Sequence, residues 1–261
     1  MSEIIDCEYT IQGDGPPLIL VHGIGAARDT WRFMVDQLAE HFTVVTYDLR
    51  GHGASPMPAD KAFELDDLVN DLERVRERVG FEQAHIAGHS LGGMIGPAYA
   101  RRFPERVLSV GLLSTAAFRT AEDSAAVQGV VAKMHEVGIP NILPTLTDRW
   151  YTDAFIEANP DIVERRLAQV IDCDAEIFLN VFRIYATFEM GPWLHEIEHP
   201  CLVLTGEFDG GCNPRLNTQI HEALPDSELV ILPDLKHSIL LEAGPTVAGH
   251  IIRFVEGVTA R

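Results

Sequence analysis

The sequence GHSLGG at positions 88–93 could place a nucleophile at the tip of a tight turn. It fits the pattern G-x-S-x-G and lies between a stretch typical of a buried strand and a stretch typical of a helix. Gly88 and Gly92 lack the Cβ atoms that would collide in such a turn, so the Ser90 hydroxyl would project from the end of the sheet. The pattern therefore predicts Ser90 as a catalytic nucleophile.

A serine hydroxyl needs a general base, and His237 fits that role. In strand–turn–helix sites of this kind the acid and then the histidine follow the nucleophile along the chain. His237 lies in a loop after the last predicted strand, whereas His250 falls within the closing helix. The order of residues thus predicts His237 as the base that activates Ser90.

The acid of such a triad is expected directly after the strand at 201–205. Glu207 and Asp209 both follow that strand. Asp209 is preferred, because it lies farther out in a glycine-rich turn that can fold back over the sheet edge. Asp234 is a weaker alternative, since it shares a loop with His237.

Two backbone N–H groups are candidates for holding the negative charge that develops on a substrate carbonyl oxygen. The sequence HGIG at 22–25 follows an early strand, and its glycines leave the N–H of Ile24 free to point inward. The N–H of Leu91 opens the helix after Ser90, where the helix dipole favours a negative charge. We therefore predict an oxyanion hole formed by Ile24 and Leu91.

Strand-like and helix-like segments alternate through the first half of the chain. Apolar runs indicate strands at 18–21, 43–49, 84–88 and 107–113, and helical spacing of apolar residues indicates helices at 31–40, 65–79 and 91–103. Strands as apolar as these belong to a parallel sheet covered by helices.

The pattern then changes to helix from about 118 to 195. Strand signals resume at 201–205 and 228–232, and a closing helix follows at 246–258. We therefore predict an α/β fold with a mostly parallel central sheet. Its core would comprise residues 1–117 and 196–261, interrupted by a helical insertion at 118–195.

Composition excludes several classes of function. The 261 residues include 20 Lys and Arg against 39 Asp and Glu, a formal net charge of −19, which argues against binding nucleic acid or an anionic membrane. The four cysteines, Cys7, Cys173, Cys201 and Cys212, have no metal-ligand spacing, so we expect free thiols in a reducing compartment. The first residues lack the basic and apolar pattern of a signal peptide, and we expect a cytoplasmic protein.

Five motifs in this order resemble the α/β-hydrolase family with a helical cap: HGIG at 22–25, DLRGHGAS at 48–55, GHSLGG at 88–93, GEFD at 206–209 and His237. Segments at 94–96, 104–107, 148–152 and 159–161 are similar to 3-oxoadipate enol-lactonases. The sequences HGIG and GHS resemble instead general esterases and the C–C hydrolases of ring-cleavage products.

This resemblance implies a serine hydrolase that cleaves a small carboxylic ester or lactone, as a monomer or a homodimer. The same triad would serve to hydrolyse a C–C bond in a vinylogous diketone, which is a second interpretation. A small-ligand receptor that retains the triad is a third, and a receptor would turn over very slowly.

Three residues of the helical insertion are candidates for contacting the substrate. The lactonase-like segment suggests a substrate carboxylate, and a net charge of −19 would repel such an anion unless a dedicated cation binds it. Arg119 and Arg149 are the candidate cations, and Trp150 could line the pocket.

Two further motifs match the patterns of a zinc site and a dinucleotide site, but the surrounding sequence disfavours both. HEIEH at 195–199 matches the zinc pattern H-E-x-x-H, which works only on a helix, but Pro200 pushes His199 out of the α region. Gly23 and Gly25 with Asp48 resemble a dinucleotide fingerprint, but Arg28 occupies the third glycine position. We therefore predict no metal and no cofactor.

Overall fold

The computed structural model describes residues 3–260, which fold around a seven-stranded sheet. Its strands are β1 (Tyr9–Gln12), β2 (Pro17–Val21), β3 (Thr43–Tyr47), β4 (Ala84–His89), β5 (Val107–Leu113), β6 (Cys201–Gly206) and β7 (Ser227–Leu232). They lie in the order β1-β3-β2-β4-β5-β6-β7. Neighbours are parallel except for β1, which runs antiparallel to β3. The mostly parallel α/β sheet predicted from the sequence is confirmed.

Helices flank the sheet and fill the interval between β5 and β6. They are α1 (Val35–Ala39), α2 (Leu65–Arg78), α3 (Gly92–Arg102), α4 (Ala121–Val137), α5 (Ile139–Trp150), α6 (Asp153–Ala158), α7 (Pro160–Asp172), α8 (Ala175–Thr187), α9 (Pro214–Ala223), α10 (Ile239–Glu242) and α11 (Gly244–Thr259). Short 3-10 turns occupy Arg28–Trp31, Pro104–Arg106 and Gly191–Glu196. Within residues 3–260, every helix is too short or too polar to cross a lipid bilayer.

Two apolar layers hold the sheet, one on each face. In β2, Ile19 and Val21 join one core cluster, whereas Leu18 and Leu20 join the other. This division follows from the strand geometry, because successive side chains point to opposite faces. A strand covered on both faces must be apolar at every position, which explains the unbroken apolar runs in the sequence.

The carboxyl ends of the parallel strands meet at one edge of the sheet. His89 at the end of β4 pairs with Leu113 of β5, and Leu113 pairs with Leu204 of β6. The loops that leave these strands therefore converge, which is where ligands bind in open α/β sheets. The turn that holds Ser90 and the loop that holds Asp209 both start here.

The segment 118–195, which we call the insertion, lies over this edge and is fixed to the core by polar contacts. Lys61 Nζ donates to Asp174 Oδ2 at 2.8 Å at one end of the insertion. At the other side the backbone N–H of Ser238 donates to the carbonyl of Trp150 at 2.8 Å. Because Ser238 is adjacent to His237 in the chain, the insertion is held close to the predicted base.

Two elements differ from the sequence expectation. The helix expected at 31–40 is a 3-10 turn followed by the five-residue α1, because Met34 between them has a φ of −139° and a ψ of −17°, outside the helical region. Trp31 and Met34 are both fully buried, so this irregular segment still contributes to the core. β1 was not expected, because it is an edge strand whose residues are mostly exposed and whose sequence shows no apolar run.

The tight turn after β4 predicts a large difference between two glycine substitutions. A Cβ atom at Gly88 would lie 2.0 Å from the carbonyl oxygen of Gly92, whereas a Cβ at Gly129 in α4 would meet open space. Gly88→Ala should therefore lower the free energy of unfolding by roughly 3 kcal/mol or more, or prevent folding. Gly129→Ala should raise it by about 0.5–1 kcal/mol, because alanine favours a helix interior. Urea unfolding of both variants measures this, and an unchanged stability of Gly88→Ala would contradict the packing described here.

Candidate active site

Ser90 occupies the turn between β4 and α3 with a φ of +57°, a left-handed conformation that is uncommon for a residue with a side chain. Its N–H donates to the carbonyl of Leu113 at 2.9 Å, and Thr115 Oγ1 donates to its carbonyl at 2.9 Å. Such backbone strain, of order 1–3 kcal/mol, persists where the surroundings over-determine it. These contacts hold the Ser90 side chain at the wall of a cavity between the sheet edge and the insertion.

His237 and Asp209 form a buried pair beside this cavity. His237 Nδ1 lies 2.7 Å from Asp209 Oδ2. The other carboxylate oxygen of Asp209 accepts hydrogen bonds from the backbone N–H groups of Gly211 at 3.0 Å and Cys212 at 2.8 Å. Both carboxylate oxygens are thus used, and the carboxylate holds the imidazole in one orientation.

Electrostatics favour the charged form of both members of this pair. Burial raises the pKa of Asp209, but His237 and the two backbone N–H groups outweigh it, and the net pKa is lowered. Burial likewise opposes the charged His237, but the Asp209 carboxylate outweighs it and raises the pKa of His237 well above its ordinary value. An imidazolium that forms at His237 is therefore stabilised.

His89, the residue before Ser90, braces the loop that carries His237. Its Nε2 donates to the backbone carbonyl of His237 at 3.0 Å, and the two imidazole rings lie 4.9 Å apart. Burial lowers the pKa of His89 to about 3, so its ring is neutral at physiological pH. This contact could not be predicted from the sequence, because the two residues are far apart in the chain.

The loop at 22–25 lies directly over Ser90. A Cβ atom at Gly23 would be 3.0 Å from the Cβ of Ser90, so the glycine allows this approach. His22 Nδ1 donates to the carbonyl of Gly23 at 2.8 Å and thereby fixes the peptide that carries the Ile24 N–H. Within residues 3–260, neither the Ile24 N–H nor the Leu91 N–H donates a hydrogen bond, so both are free for a ligand.

Residues of the core and of the insertion line the cavity together. The core contributes chiefly Ile24, His89, Ser90, Asp209 and His237. The insertion contributes chiefly Arg149, Trp150, Arg166, Phe182 and Tyr185. A small molecule in this space would be enclosed on both sides, as is usual for ligand pockets.

The three residues predicted to contact a substrate occupy different surroundings. Trp150 is half-buried and Arg149 is exposed, and both line the cavity. Arg119 does not line the cavity, contrary to the expectation. Its guanidinium lies 4.4 Å from the centroid of the Tyr185 ring and donates to the Tyr185 carbonyl at 3.0 Å. These contacts, together with that of the Arg119 N–H to Glu189 Oε2 at 3.3 Å, hold Arg119 against α8 and the segment that follows it.

A different arginine of the insertion, Arg166 of α7, faces the cavity and was missed. Val163, Arg166 and Val170 are spaced so that they share one helical face, and both valines are buried. A cation in the middle of a buried apolar face is the signal that could have identified it. Its guanidinium lies 5.2 Å from the Trp150 ring centroid.

Asp209, Cys212 and His237 could together offer oxygen, sulfur and nitrogen ligands to a metal, since these atoms lie within 4.8 Å of one another. All three already have partners, because Cys212 Sγ lies 3.1 Å from Tyr185 Oη and the other two are paired. His195 lies in the 3-10 turn that ends at Glu196, and His199 lies beyond it with Nε2 donating to the carbonyl of Pro104 at 2.8 Å. Thus His195 and His199 do not share a helical face.

Buried histidines predict a loss of stability in mild acid. Burial lowers the pKa of His85 to about 4 and that of His89 to about 3, below the ordinary value of 6.5 that the unfolded chain retains. As the pH falls below about 6.5, the unfolded chain binds protons that the folded chain does not, so the free energy of unfolding decreases. Carboxylates titrate mainly below about pH 5. The raised pKa of His237 acts in the opposite direction, but only until the unfolded imidazole is protonated, just below its ordinary value of 6.5, so it does not cancel the decline.

Urea unfolding measured between about pH 6.5 and 5 tests this expectation. His85 contacts Ser109 Oγ at 2.7 Å within the sheet, so His85→Gln can remove one titrating group without changing the cavity. The variant should show a shallower decline than the unmodified chain. A free energy of unfolding that is constant over this interval would contradict the neutral, buried state of these histidines.

Comparison with known proteins agrees with the geometry. Residues 16–159 match the family described as alpha/beta hydrolase fold. The 3-oxoadipate enol-lactonase 2 of Acinetobacter baylyi is 32% identical over 76% of this chain and 73% of its own length. The (E)-2-((N-methylformamido)methylene)succinate hydrolase of the same organism is 25% identical over 90% of this chain and 88% of its own.

A solved structure extends the likeness to the whole fold. The enol-lactonase from Burkholderia xenovorans LB400 has a TM-score of 0.89 with this chain, covers 98% of each and is 23% identical. The family match spans more than half of the chain and agrees with the five motifs found in the sequence. This chain therefore belongs to the α/β-hydrolase fold family and is a hydrolase.

Proposed function

We propose that this hydrolase cleaves small carboxylic esters or lactones through an acyl-enzyme formed on Ser90. The observation that carries the proposal is the 2.7 Å contact between His237 Nδ1 and Asp209 beside the cavity that Ser90 lines. A proton held on Nδ1 leaves Nε2 of His237 as the basic nitrogen. That nitrogen is the one able to accept the proton of the serine hydroxyl.

In the acylation step the Ser90 oxygen attacks the carbonyl carbon of the substrate while His237 accepts the hydroxyl proton. The carbonyl oxygen becomes an oxyanion, which the free N–H groups of Ile24 and Leu91 would bind. Collapse of this intermediate breaks the bond to the alcohol or enolate oxygen, and His237 returns the proton to that leaving group. Asp209 stabilises the imidazolium throughout.

In the second step water attacks the acyl group on Ser90, with His237 again as the base. The bond to Ser90 breaks, the hydroxyl regains its proton, and a carboxylic acid leaves. A lactone gives one product in this cycle, because its acyl and alkoxide parts remain joined. The chain needs no group beyond its own side chains and water for this sequence.

The cavity supports a small substrate. Its walls come from both the sheet edge and the insertion, so a ligand is covered on two sides. Such a site buries most of a small molecule, which disfavours a polymer or an emulsion droplet as substrate. The names of two relatives, an enol-lactonase and the hydrolase of a succinate derivative, also refer to small molecules as substrates.

The arginines in the cavity support an acidic acyl substrate. Arg149 and Arg166 both line it, in a chain whose formal net charge is −19. An anion is repelled by the overall field and needs a local cation to enter. Arg149 is exposed and lines the cavity, and its planar guanidinium could meet a carboxylate in two parallel contacts.

The role of Ser90 is tested by Ser90→Ala with p-nitrophenyl acetate. Loss of the nucleophile should lower kcat by about 10⁴-fold or more while thermal unfolding stays unchanged. Ser124→Ala in the first turn of α4 is the matched control and should retain activity. A fluorophosphonate should label the unmodified chain at Ser90, and near-normal turnover of Ser90→Ala would refute the proposal.

The role of Asp209 is tested against its neighbour. Asp209→Asn should lower kcat by about 10⁴-fold, because an amide no longer holds His237 in the required tautomer. Glu207→Gln should have little effect, since Glu207 is exposed and accepts from the Asp234 N–H at 3.1 Å, away from His237. If Glu207→Gln proves the more damaging change, the acid has been assigned to the wrong residue.

The charge of the substrate is tested by Arg149→Lys. Lysine cannot reproduce the paired contacts of a guanidinium, so KM for p-nitrophenyl hemisuccinate should rise about 5- to 10-fold while p-nitrophenyl acetate is unaffected. Arg183→Lys is the control, because Arg183 pairs with Glu64 at 2.9 Å outside the cavity. Equal effects of Arg149→Lys on both esters would argue against an anionic substrate.

A further inference from the structure

Arg166 of α7 joins the insertion to the loop that lies over Ser90. Its Nη1 donates to the carbonyl of Gly25 at 2.6 Å, and its Nη2 donates to the carbonyl of Ile24 at 2.8 Å. Both contacts come from one planar guanidinium, which can span two neighbouring carbonyls where an ammonium cannot. The insertion thus forms hydrogen bonds with two consecutive peptides of the core loop.

This arginine carries no salt bridge to a carboxylate among residues 3–260. Burial lowers its pKa, which reflects the free energy needed to keep a charge in this place. The face of Trp150 and the two carbonyls provide its remaining stabilisation. The Arg166 charge has no carboxylate partner among these residues, which indicates a role in the cavity other than that of an ordinary surface ion pair.

The two carbonyls belong to the peptides that directly follow the free N–H of Ile24 in the loop. His22 fixes the peptide between Gly23 and Ile24 by donating to its carbonyl at 2.8 Å, and Arg166 fixes the next two peptides. Gly25 has a φ of +57°, and a Cβ there would lie 2.5 Å from the Phe178 ring, so the loop makes a left-handed turn packed against α8 that requires glycine. Without Arg166, the carbonyls on both sides of that turn would lose their donors.

We propose that Arg166 is a positioning residue for the oxyanion hole, one that holds the Ile24 and Gly25 peptides so that the Ile24 N–H stays directed at the reacting carbonyl. The oxyanion hole is then complete only when α7 is docked on the core. This inference rests on the proposed acyl-enzyme route through Ser90. It concerns the orientation of a backbone donor and is independent of the charge of the substrate.

A simple tether between insertion and core is the competing explanation, and the chain offers a control for it. Arg165 precedes Arg166 on α7 and also bridges to the core, with Nη2 2.8 Å from Asp29 Oδ2. Gln169 of the same helix donates to the other oxygen of Asp29 at 2.6 Å. Loss of Arg165 therefore weakens docking of α7 without touching the carbonyls of Ile24 and Gly25.

The experiment compares Arg166→Gln, Arg166→Lys and Arg165→Gln with p-nitrophenyl acetate, whose neutral acyl group removes any effect of substrate charge. Arg166→Gln should lower kcat by about 10- to 100-fold, because a misplaced donor loses most of its transition-state stabilisation. KM should stay within about twofold, since the oxyanion is absent from the ground state. The kcat of Arg166→Lys should lie between those of Arg166→Gln and the unmodified chain. Arg165→Gln should retain the kcat of the unmodified chain.

A neutral trifluoromethyl ketone gives a readout that separates positioning from tethering. Ser90 would add to it and form an oxyanion, so its inhibition constant should rise with Arg166→Gln by the same factor by which kcat falls. The constant should be unchanged in Arg165→Gln. If Arg166→Gln does not fold, as judged by thermal unfolding, Arg166→Lys decides the question by the same two measurements.

Two outcomes would overturn the inference. Equal losses of kcat in the Arg165 and Arg166 variants would show that Arg166 only tethers the insertion to the core. A rise in KM without a change in kcat would show that Arg166 only contributes to substrate binding. Failure of the proposed function is distinguishable, because it would appear as activity retained by Ser90→Ala. Loss of activity in Ser90→Ala with full kcat in Arg166→Gln would reject the role of Arg166 alone.

Discussion

Close backbone packing at two glycines brings three segments together around Ser90, and the geometry of the cavity depends on that contact. A Cβ at Gly88 would overlap the carbonyl of Gly92 at 2.0 Å, and a Cβ at Gly92 would overlap the carbonyl of Val21 at 2.1 Å. The end of β2, the end of β4 and the start of α3 are therefore as close as backbone allows. The same approach places the loop at 22–25 over Ser90 and holds this residue in its left-handed conformation.

Around that turn, histidines serve in two opposite states. His22 and His52 are buried and His89 is partly buried, and none of the three pairs with a carboxylate of residues 3–260. Burial therefore dominates and lowers the pKa of each. They act as neutral hydrogen-bonding groups; His52 Nε2, for example, accepts from the N–H of Gly25 at 3.3 Å. His237 is also buried, but the Asp209 carboxylate reverses the direction of the shift. One residue type thus supplies both neutral hydrogen-bonding supports for the backbone and an imidazole whose charged form is stabilised.

The parts of the molecule that depend on local sequence could be predicted. The fold class follows from unbroken apolar runs, and it is confirmed. The family follows from motifs whose glycines are required by close backbone contacts. β1 could not be predicted, because an exposed edge strand needs no apolar residues and its place is set by pairing with β3. The local pattern therefore succeeds where burial or turn geometry restricts the residue types.

The side-chain contacts of the insertion could not be predicted from local sequence. The helical character of the insertion was predicted from its apolar spacing, but the direction of each arginine side chain depends on tertiary contacts. Arg119 is turned onto the Tyr185 ring of α8, whereas Arg166 reaches the carbonyls of Ile24 and Gly25 in the core. Neither partner is near in sequence. Only the position of Arg166 between the buried Val163 and Val170 carried a local signal.

The central claim is that a covalent acyl group forms on Ser90, and its most direct test is the mass of the protein during turnover. Acid quenching of the chain with excess p-nitrophenyl acetate, followed by intact-mass measurement and peptide mapping, detects this species. The account predicts one added acetyl group, located on Ser90 in the peptide that spans 88–93, and its absence in Ser90→Ala. Turnover with no adduct under conditions that slow the water step, or an adduct on another residue, would contradict the account.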